Sequence, residues 1–140
     1  MSGRLSTEDM FAVQEVLALY NWHFDAGDGD SWASLWTEDG EFGRGGESVP
    51  TQGRKALAAL VKGAFETYGG GIRHHTTDII AAYDGDQDTV QAKAHLLVTH
   101  WGDKAKFFGA THAKLKLVRT SEGWKIRSNT ISITPADNPA

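Results

Sequence analysis

The sequence predicts a single α+β domain over residues 1–140, with helices first and a strongly bent antiparallel sheet after them. Three observations carry this. Up to Tyr68 the apolar residues recur with helical spacing, and from Arg73 onward the pattern changes to long strands. Short turns bearing Gly and Asp then cut the second half at regular intervals.

Each element has a local reason. Ser6 or Thr7 is a good N-cap, and Glu8 and Asp9 place carboxylates in the first helical turn, where the dipole favours them. Phe11, Val13, Val16, Leu17, Leu19, Tyr20 and Phe24 then form one broad apolar face, and the run Gly27-Asp28-Gly29-Asp30 ends the helix. Ser31 to Trp36 reads as a short second helix, and Thr37 to Gly40 as a turn into a strand around Glu41-Phe42. The glycine-rich stretch 43–53 reads as a loop, a connector rather than a lid. Arg54 to Tyr68 is helical through Leu57, Leu60, Val61, Phe65 and Tyr68, and Gly69-Gly70-Gly71 stops it. Four strands follow, Arg73 to Tyr83, Thr89 to Trp101, Lys106 to Arg119 and Trp124 to Thr134, joined by hairpin turns. No repeat, low-complexity segment or second domain interrupts them.

Composition narrows the function. A net charge of −4 and a pI near 5.8 do not favour a nucleic-acid partner. The absence of cysteine excludes disulfides, thiolate metal sites and cysteine nucleophiles. No apolar stretch approaches the roughly 20 residues of a membrane span, so the expectation is a soluble, cytoplasmic protein without a membrane partner. There is no phosphate loop, dinucleotide fingerprint or serine elbow.

The chemistry-bearing residues are a carboxylate, imidazoles and a phenol that gather near one end of the predicted helices and strands. Asp25 ends the first helix about one turn after Tyr20 and can project into the space between helix and sheet. His74 opens the first long strand. His100 ends the second, on the face shared by Val90, Ala92, Ala94, Leu96 and Val98. A histidine held by an aspartate takes and returns a proton near neutrality. Bland readings compete. Asp25 is as good a helix-end cap, and a single strand histidine is usually an ordinary hydrogen-bonded one. Alternation alone does not decide whether His74 or His75 points inward. His23 and Asp25 lack ligand spacing for a metal, and none is expected. His112, among Lys114 and Lys116, and His95, beside Gln91 and Lys93, read as solvated or interfacial.

The segments VLALYNWHFDAGDGDSWASLWTEDGEF, GRKALAALV, IRHHTTDIIAAYDGDQDTVQAKAHLLV and KLKLVRTSEGWKI resemble the SnoaL-like branch of the NTF2-like superfamily, over nearly the whole chain. The resemblance implies a cone of curved antiparallel sheet and helices around a deep apolar pocket. Within the branch the pattern is closest to scytalone dehydratase and related bile-acid dehydratases and hexachlorocyclohexane dehydrochlorinase. These pair an aspartate ending the first helix with a histidine opening a long strand, the positions of Asp25 and His74. That similarity selects His74 over His75 and adds His100 as a second pocket histidine. It also shows departures. Phe24 and Phe42 stand where scytalone dehydratase places tyrosines, and His112 and Lys114 fall near its serine and asparagine.

What the resemblance implies is a cofactor-independent lyase that eliminates water from a small cyclic or aromatic apolar ligand. Asp25 and His74 would move the proton, with Tyr20 or His100 as acid or oxyanion stabiliser. The expected lining is Phe11, Leu17, Phe24, Trp36, Phe42, Phe65, Leu96 and Val98. An isomerase or cyclase of ketosteroid or polyketide type, or a non-catalytic binding or assembly module, would use the same scaffold. A homo-oligomer, trimer or dimer, is expected, because Ile79, Leu97, Trp101 and Ile131 are read onto the outer face of the sheet.

Overall fold

The computed structural model describes residues 3–45 and 49–133. Helix α1 spans Thr7–Asp25 and is capped by Ser6, whose hydroxyl accepts from the Asp9 N–H at 3.1 Å. Its buried stripe is Val13, Leu17, Tyr20 and Asn21. Helix α2 spans Gly29–Ser34 and is capped by Asp28, which accepts from the Ser31 N–H. It therefore lies two residues earlier than the sequence pattern suggested. Gly29 is where α2 approaches α3 (Arg54–Tyr68): a Cβ there would lie 2.3 Å from the Ala58 carbonyl oxygen.

Trp36 opens strand β1 (Trp36–Arg44) instead of closing α2, and Thr37 to Gly40, expected as a turn, run within that strand. The cause is its pairing with β6 (Gly123–Ser132). Trp36 pairs with Ile126, and the register then shifts before resuming at Glu41 and Ser128. Two residues of the expected loop, Thr51–Gln52, form β2 beside β1. Helix α3 has the predicted bounds, and a 3₁₀ turn at Gly69–Gly71 ends it.

The remaining strands are β3 (Ile72–Asp84), β4 (Asp86–Trp101) and β5 (Ala105–Thr120). The strand order β2-β1-β6-β5-β4-β3 describes one curved, unclosed sheet, antiparallel throughout except at the β1–β6 pair. The α+β architecture is thus as expected, with the cone left open between its edge strands. Thr134, placed at the end of the last predicted strand, lies outside the described residues. Along β4 the residues Val90, Ala92, Ala94, Leu96 and Val98 are buried and their neighbours exposed, as alternation requires. The core joins these to Trp32, Trp36, Leu57, Val61, Leu117 and Ile126, each fully buried or nearly so.

Two residues read onto the outer face turn inward. In β3 the register against β4 shifts between Thr77 and Ile80, and Asp78 adopts a left-handed backbone at φ 55°. The irregularity swaps the faces, so Ile79 packs on the core and Ile80 is exposed. Ile131 likewise packs toward the interior, leaving Leu97 and Trp101 as the exposed members of that set. Among the described residues no helix is long and apolar enough to cross a membrane.

The N-terminal end of α1 is fixed by one buried carboxylate. Asp9 accepts from Arg119 through both oxygens, at 3.2 and 2.9 Å, from the Trp124 indole at 3.1 Å and from the Tyr83 hydroxyl. The Arg119 guanidinium also lies 4.5 Å from the centre of the Trp124 ring. Hydrogen bonds from Arg119 and Tyr83 hold the Asp9 carboxyl down at about 2, against an ordinary 3.8. An unfolded Asp9 takes up its proton at higher pH than the folded one, so the stabilisation is complete above about pH 4 and lost as pH falls through 2. Urea unfolding at pH 5 and pH 2.5 should show this acid loss, on the order of 2 kcal/mol at low salt, and Asp9→Asn should flatten it. Gly29→Ala should lower stability by roughly 1–3 kcal/mol in the same assay at pH 7, because the helix pair must separate to admit the methyl group.

Candidate active site

Asp25 is the last residue of α1, where the helix dipole disfavours a negative charge. What holds the carboxylate there is His74, near the start of β3. The His74 backbone N–H donates to Asp25 Oδ2 at 2.9 Å, and ring Nδ1 lies 2.6 Å from Oδ1. A carboxylate that accepts both bonds keeps the proton on Nδ1 and leaves Nε2 with its lone pair. Both side chains are largely buried, 9% exposed for Asp25 and 17% for His74. The Phe24 ring meets the His74 ring edge-on, with centroids 5.0 Å apart, which fixes the imidazole from a third side.

The pair borders a half-open cavity of about 280 Å³ between the helices and the concave face of the sheet. Phe24 and Asp25 line it from α1, Ala64, Phe65 and Tyr68 from α3, and Ile72 and His74 from β3. Val98 comes from β4, Phe108, Gly109, Ala110 and Thr111 from β5, and Arg44 and Ile131 from β1 and β6, with Gly69 and Ile133 at the margins. The lining is mainly apolar, with a few polar groups converging on it, which is the usual character of a small-molecule site. Asp25 and His74 also border a second cleft of about 310 Å³ on their other side, lined by Asn21, Trp22, Ala26, Arg73 and His75. Gly27 closes the turn after α1 at φ +71°, and a Cβ there would lie 2.5 Å from the Phe65 ring. Only glycine lets the turn carry Asp25 into place while Phe65 packs over it.

Of the sequence-predicted residues, the structure brings Asp25, His74, Phe24, Phe65 and Val98 to this cavity. Tyr20 is elsewhere. It is buried against Trp32 and Trp36 at centroid distances of 5.0 and 6.2 Å, and its hydroxyl accepts from Asn129 Nδ2 at 3.2 Å. Burial pushes its phenol far above the ordinary range, so it remains protonated. With Leu17, Thr76, Leu96 and Asn129 it borders a void of about 10 Å³. His100 also does not line the cavity: half-buried, it lies behind the Gly69–Gly71 turn, its Nε2 3.0 Å from where a Gly71 Cβ would be. Trp36 and Phe42 are in the core, because β1 begins earlier than expected and its inward residues meet α2. Phe11 is 70% exposed, since it falls off the α1 stripe formed by Val13, Leu17 and Tyr20.

His75 points outward and its Nε2 meets Thr99 Oγ1 at 3.0 Å. His95 and His112 lie side by side, ring centroids 4.4 Å apart, with Asp78 on His95 Nδ1 at 2.9 Å. The inward positions of β5 are Thr111, Ala113 and Leu115, so His112 and Lys114 face away from the cavity. Among the described residues no cluster of histidines and carboxylates could hold a metal ion. Arg44, Tyr68 and Thr111 are the polar lining residues that the sequence reading did not assign to the pocket. For Arg44 a signal existed: it follows the inward Phe42 by two residues on the same strand.

A family model described as a SnoaL-like domain matches residues 6–130. A crystal structure of an NTF2-like protein with a cystatin-like fold from Novosphingobium aromaticivorans is similar, with 26% identity, coverage of 91% of this chain and 83% of that one, and a TM-score of 0.82. A protein of unknown function from Mycobacterium tuberculosis shares 27% identity over 89% of this chain and 71% of its own, at a TM-score of 0.78. Aln2 from a Streptomyces species shares the fold at 22% identity, covering 92% and 93% of the two chains with a TM-score of 0.84. No curated protein matches the chain. In ¹⁵N NMR of the imidazoles, His74 should show a protonated Nδ1 and an unprotonated Nε2 at pH 8, and Asp25→Ala should shift it toward the mixed tautomers of a free ring.

Proposed function

The chain belongs to the SnoaL-like domain family, and from that premise we propose that it is a cofactor-independent lyase in which His74 removes a proton from a carbon beside a carbonyl group. The observation that carries this reading is the two-pronged hold of Asp25 on His74, which leaves Nε2 basic beside an apolar cavity. The electrons of the broken C–H bond move to the carbonyl oxygen to give an enolate. Collapse of the enolate expels a hydroxyl group from the next carbon, and the proton on His74 leaves with it as water. Asp25 stabilises the imidazolium that forms between the two steps. A small ring compound suits the size and the apolar walls of the cavity.

The family includes polyketide cyclases and isomerases, and the same first step serves both. In an isomerase the proton returns to a different carbon, and in a cyclase the enolate carbon attacks a second carbonyl. The base is common to all three, which differ in the fate of the enolate. Tyr20 is buried away from the cavity and does not line it.

A panel of cyclic β-hydroxy ketones and enolisable ring ketones incubated in D₂O separates the outcomes. Loss of water indicates the lyase, deuterium uptake with unchanged connectivity an isomerase, and a new ring a cyclase. His74→Ala should lower turnover of any converted compound by roughly 10²–10⁴-fold, and Asp25→Asn by a smaller factor, with cavity binding kept. Full turnover in His74→Ala would show that another group is the base.

A further inference from the structure

Two hydroxyl groups line the cavity, those of Tyr68 and Thr111, and they stand differently. Tyr68 is 50% exposed on the last turn of α3, with its ring against Phe108 at a centroid distance of 5.4 Å. Thr111 is half-buried on β5, between Gly109, which also lines the cavity, and Ala113, which belongs to the core. It is the one polar side chain on the inward face of β5 from Gly109 to Leu117. Its hydroxyl has no hydrogen-bond partner among the described residues, yet it is not sealed off. The sealed, unpartnered polar atoms among those residues belong to Asn21, Trp32, Trp36 and Asn129. A hydroxyl so placed has its proton to give to whatever occupies the cavity. The sheet register fixes where it stands relative to His74. His74 pairs with Val98 and Val98 with Gly109, while Thr76 pairs with Leu96 and Leu96 with Thr111. Thr111 is therefore two strands from His74 and one inward position along, roughly 12 Å between Cα atoms in a flat sheet and less on a concave one. Both side chains line the same space, so a ligand lying between them meets the imidazole on one side and the hydroxyl on the other.

We propose that Thr111 is the donor that polarises the carbonyl group of the ligand and holds the negative charge of the enolate, the ligand being a ring ketone recognised by its oxygen. This rests on the reading of Asp25 and His74 as the base. When His74 Nε2 takes the proton, the C–H electron pair becomes the new carbon–carbon bond and the carbonyl π pair moves to oxygen. The Thr111 hydroxyl donates to that oxygen throughout and keeps its own proton. A hydrogen bond to a charged oxygen is roughly twice as strong as one to a neutral oxygen, so the contact favours the enolate over the ketone. The β-branched side chain has little rotamer freedom, which holds the hydroxyl in place before the ligand arrives. Asp25 cannot take this part, because an ionised carboxylate only accepts and both its oxygens are engaged by His74. Tyr20 and His100, the groups expected to stabilise the oxyanion, do not line the cavity, and Thr111 supplies the donor they leave missing.

Two probes test this without a known substrate: 1-indanone labelled with ¹³C at the carbonyl, and indane, which has the same ring system and no oxygen. Both are titrated into the protein and followed by NMR. The carbonyl carbon of indanone bound to the wild type should resonate downfield of its position in the isosteric Thr111→Val, and Thr111→Ser should restore the wild-type position. Thr111→Val should also weaken indanone binding by roughly threefold to tenfold while leaving indane affinity unchanged. Tyr68→Phe should keep the wild-type carbonyl position. The readout is binding and not proton transfer, so a lack of deuterium uptake beside the carbonyl in D₂O would count against His74 as the base and leave this result intact. The proposal is overturned by the absence of saturable indanone binding to the wild type. It is equally overturned by a carbonyl resonance and affinity unchanged in Thr111→Val, or by their loss in Tyr68→Phe instead.

Discussion

Helix α1 crosses the concave face of the sheet with a carboxylate near each end, and those two carboxylates fix its position. Asp9 and Asp25 are roughly 24 Å apart along the axis at the usual helical rise. Each reaches across to the sheet and is gripped there by more than one donor. Apolar burial alone would let the helix slide or roll on a smooth surface of leucine, valine and alanine, because it has no direction. Charge-assisted hydrogen bonds do have direction. Asp9 fixes the helix against β5 and β6 through Arg119 and Trp124, and Asp25 fixes it against β3 through His74. The two ends nevertheless differ. The Asp9 end is sealed by tyrosine, tryptophan and arginine, whereas the Asp25 end borders open space on two sides.

That difference decides where chemistry can occur. Both carboxylates are almost wholly removed from water, yet only Asp25 holds a partner with an acid–base function near neutral pH. Its placement at the C-terminal end of a helix runs against the dipole, and stability alone would favour a lysine or arginine there. The structure accepts the local cost because His74 supplies two donors at once. Aromatic side chains then fix the imidazole: Phe24 meets its ring edge-on, and Phe65 lies over the turn that follows. Local disagreement between helix electrostatics and residue choice, corrected by a single well-placed partner, is the pattern expected where a site serves something other than folding.

Much of this was legible in the residues. Helix α3 was readable to the residue because Leu57, Val61 and Phe65 keep one period and three glycines stop it. The strands β3 to β6 were readable because turn residues punctuate long alternating runs. Resemblance was needed to choose His74 over His75, since alternation assigns faces but not which face is inward. The errors share a physical cause. Thr37 to Gly40 and Ile79 were misplaced because register shifts are set by long-range pairing that no local pattern encodes. Arg44 was missed because the glycine-rich stretch from residue 43 reads as a loop, whereas β1 continues through it.

The gap between the edge strands gives the chamber walls of unequal stiffness. On the sheet side, Val98, Thr111 and Ile131 are tied into ladders of backbone hydrogen bonds, and moving one means moving a strand. On the helix side, Ala64, Phe65 and Tyr68 of α3 are held by side-chain packing, with no ladder between that helix and the sheet. His74 belongs to the stiff side, on β3. Compliance therefore resides in the wall that carries no charge.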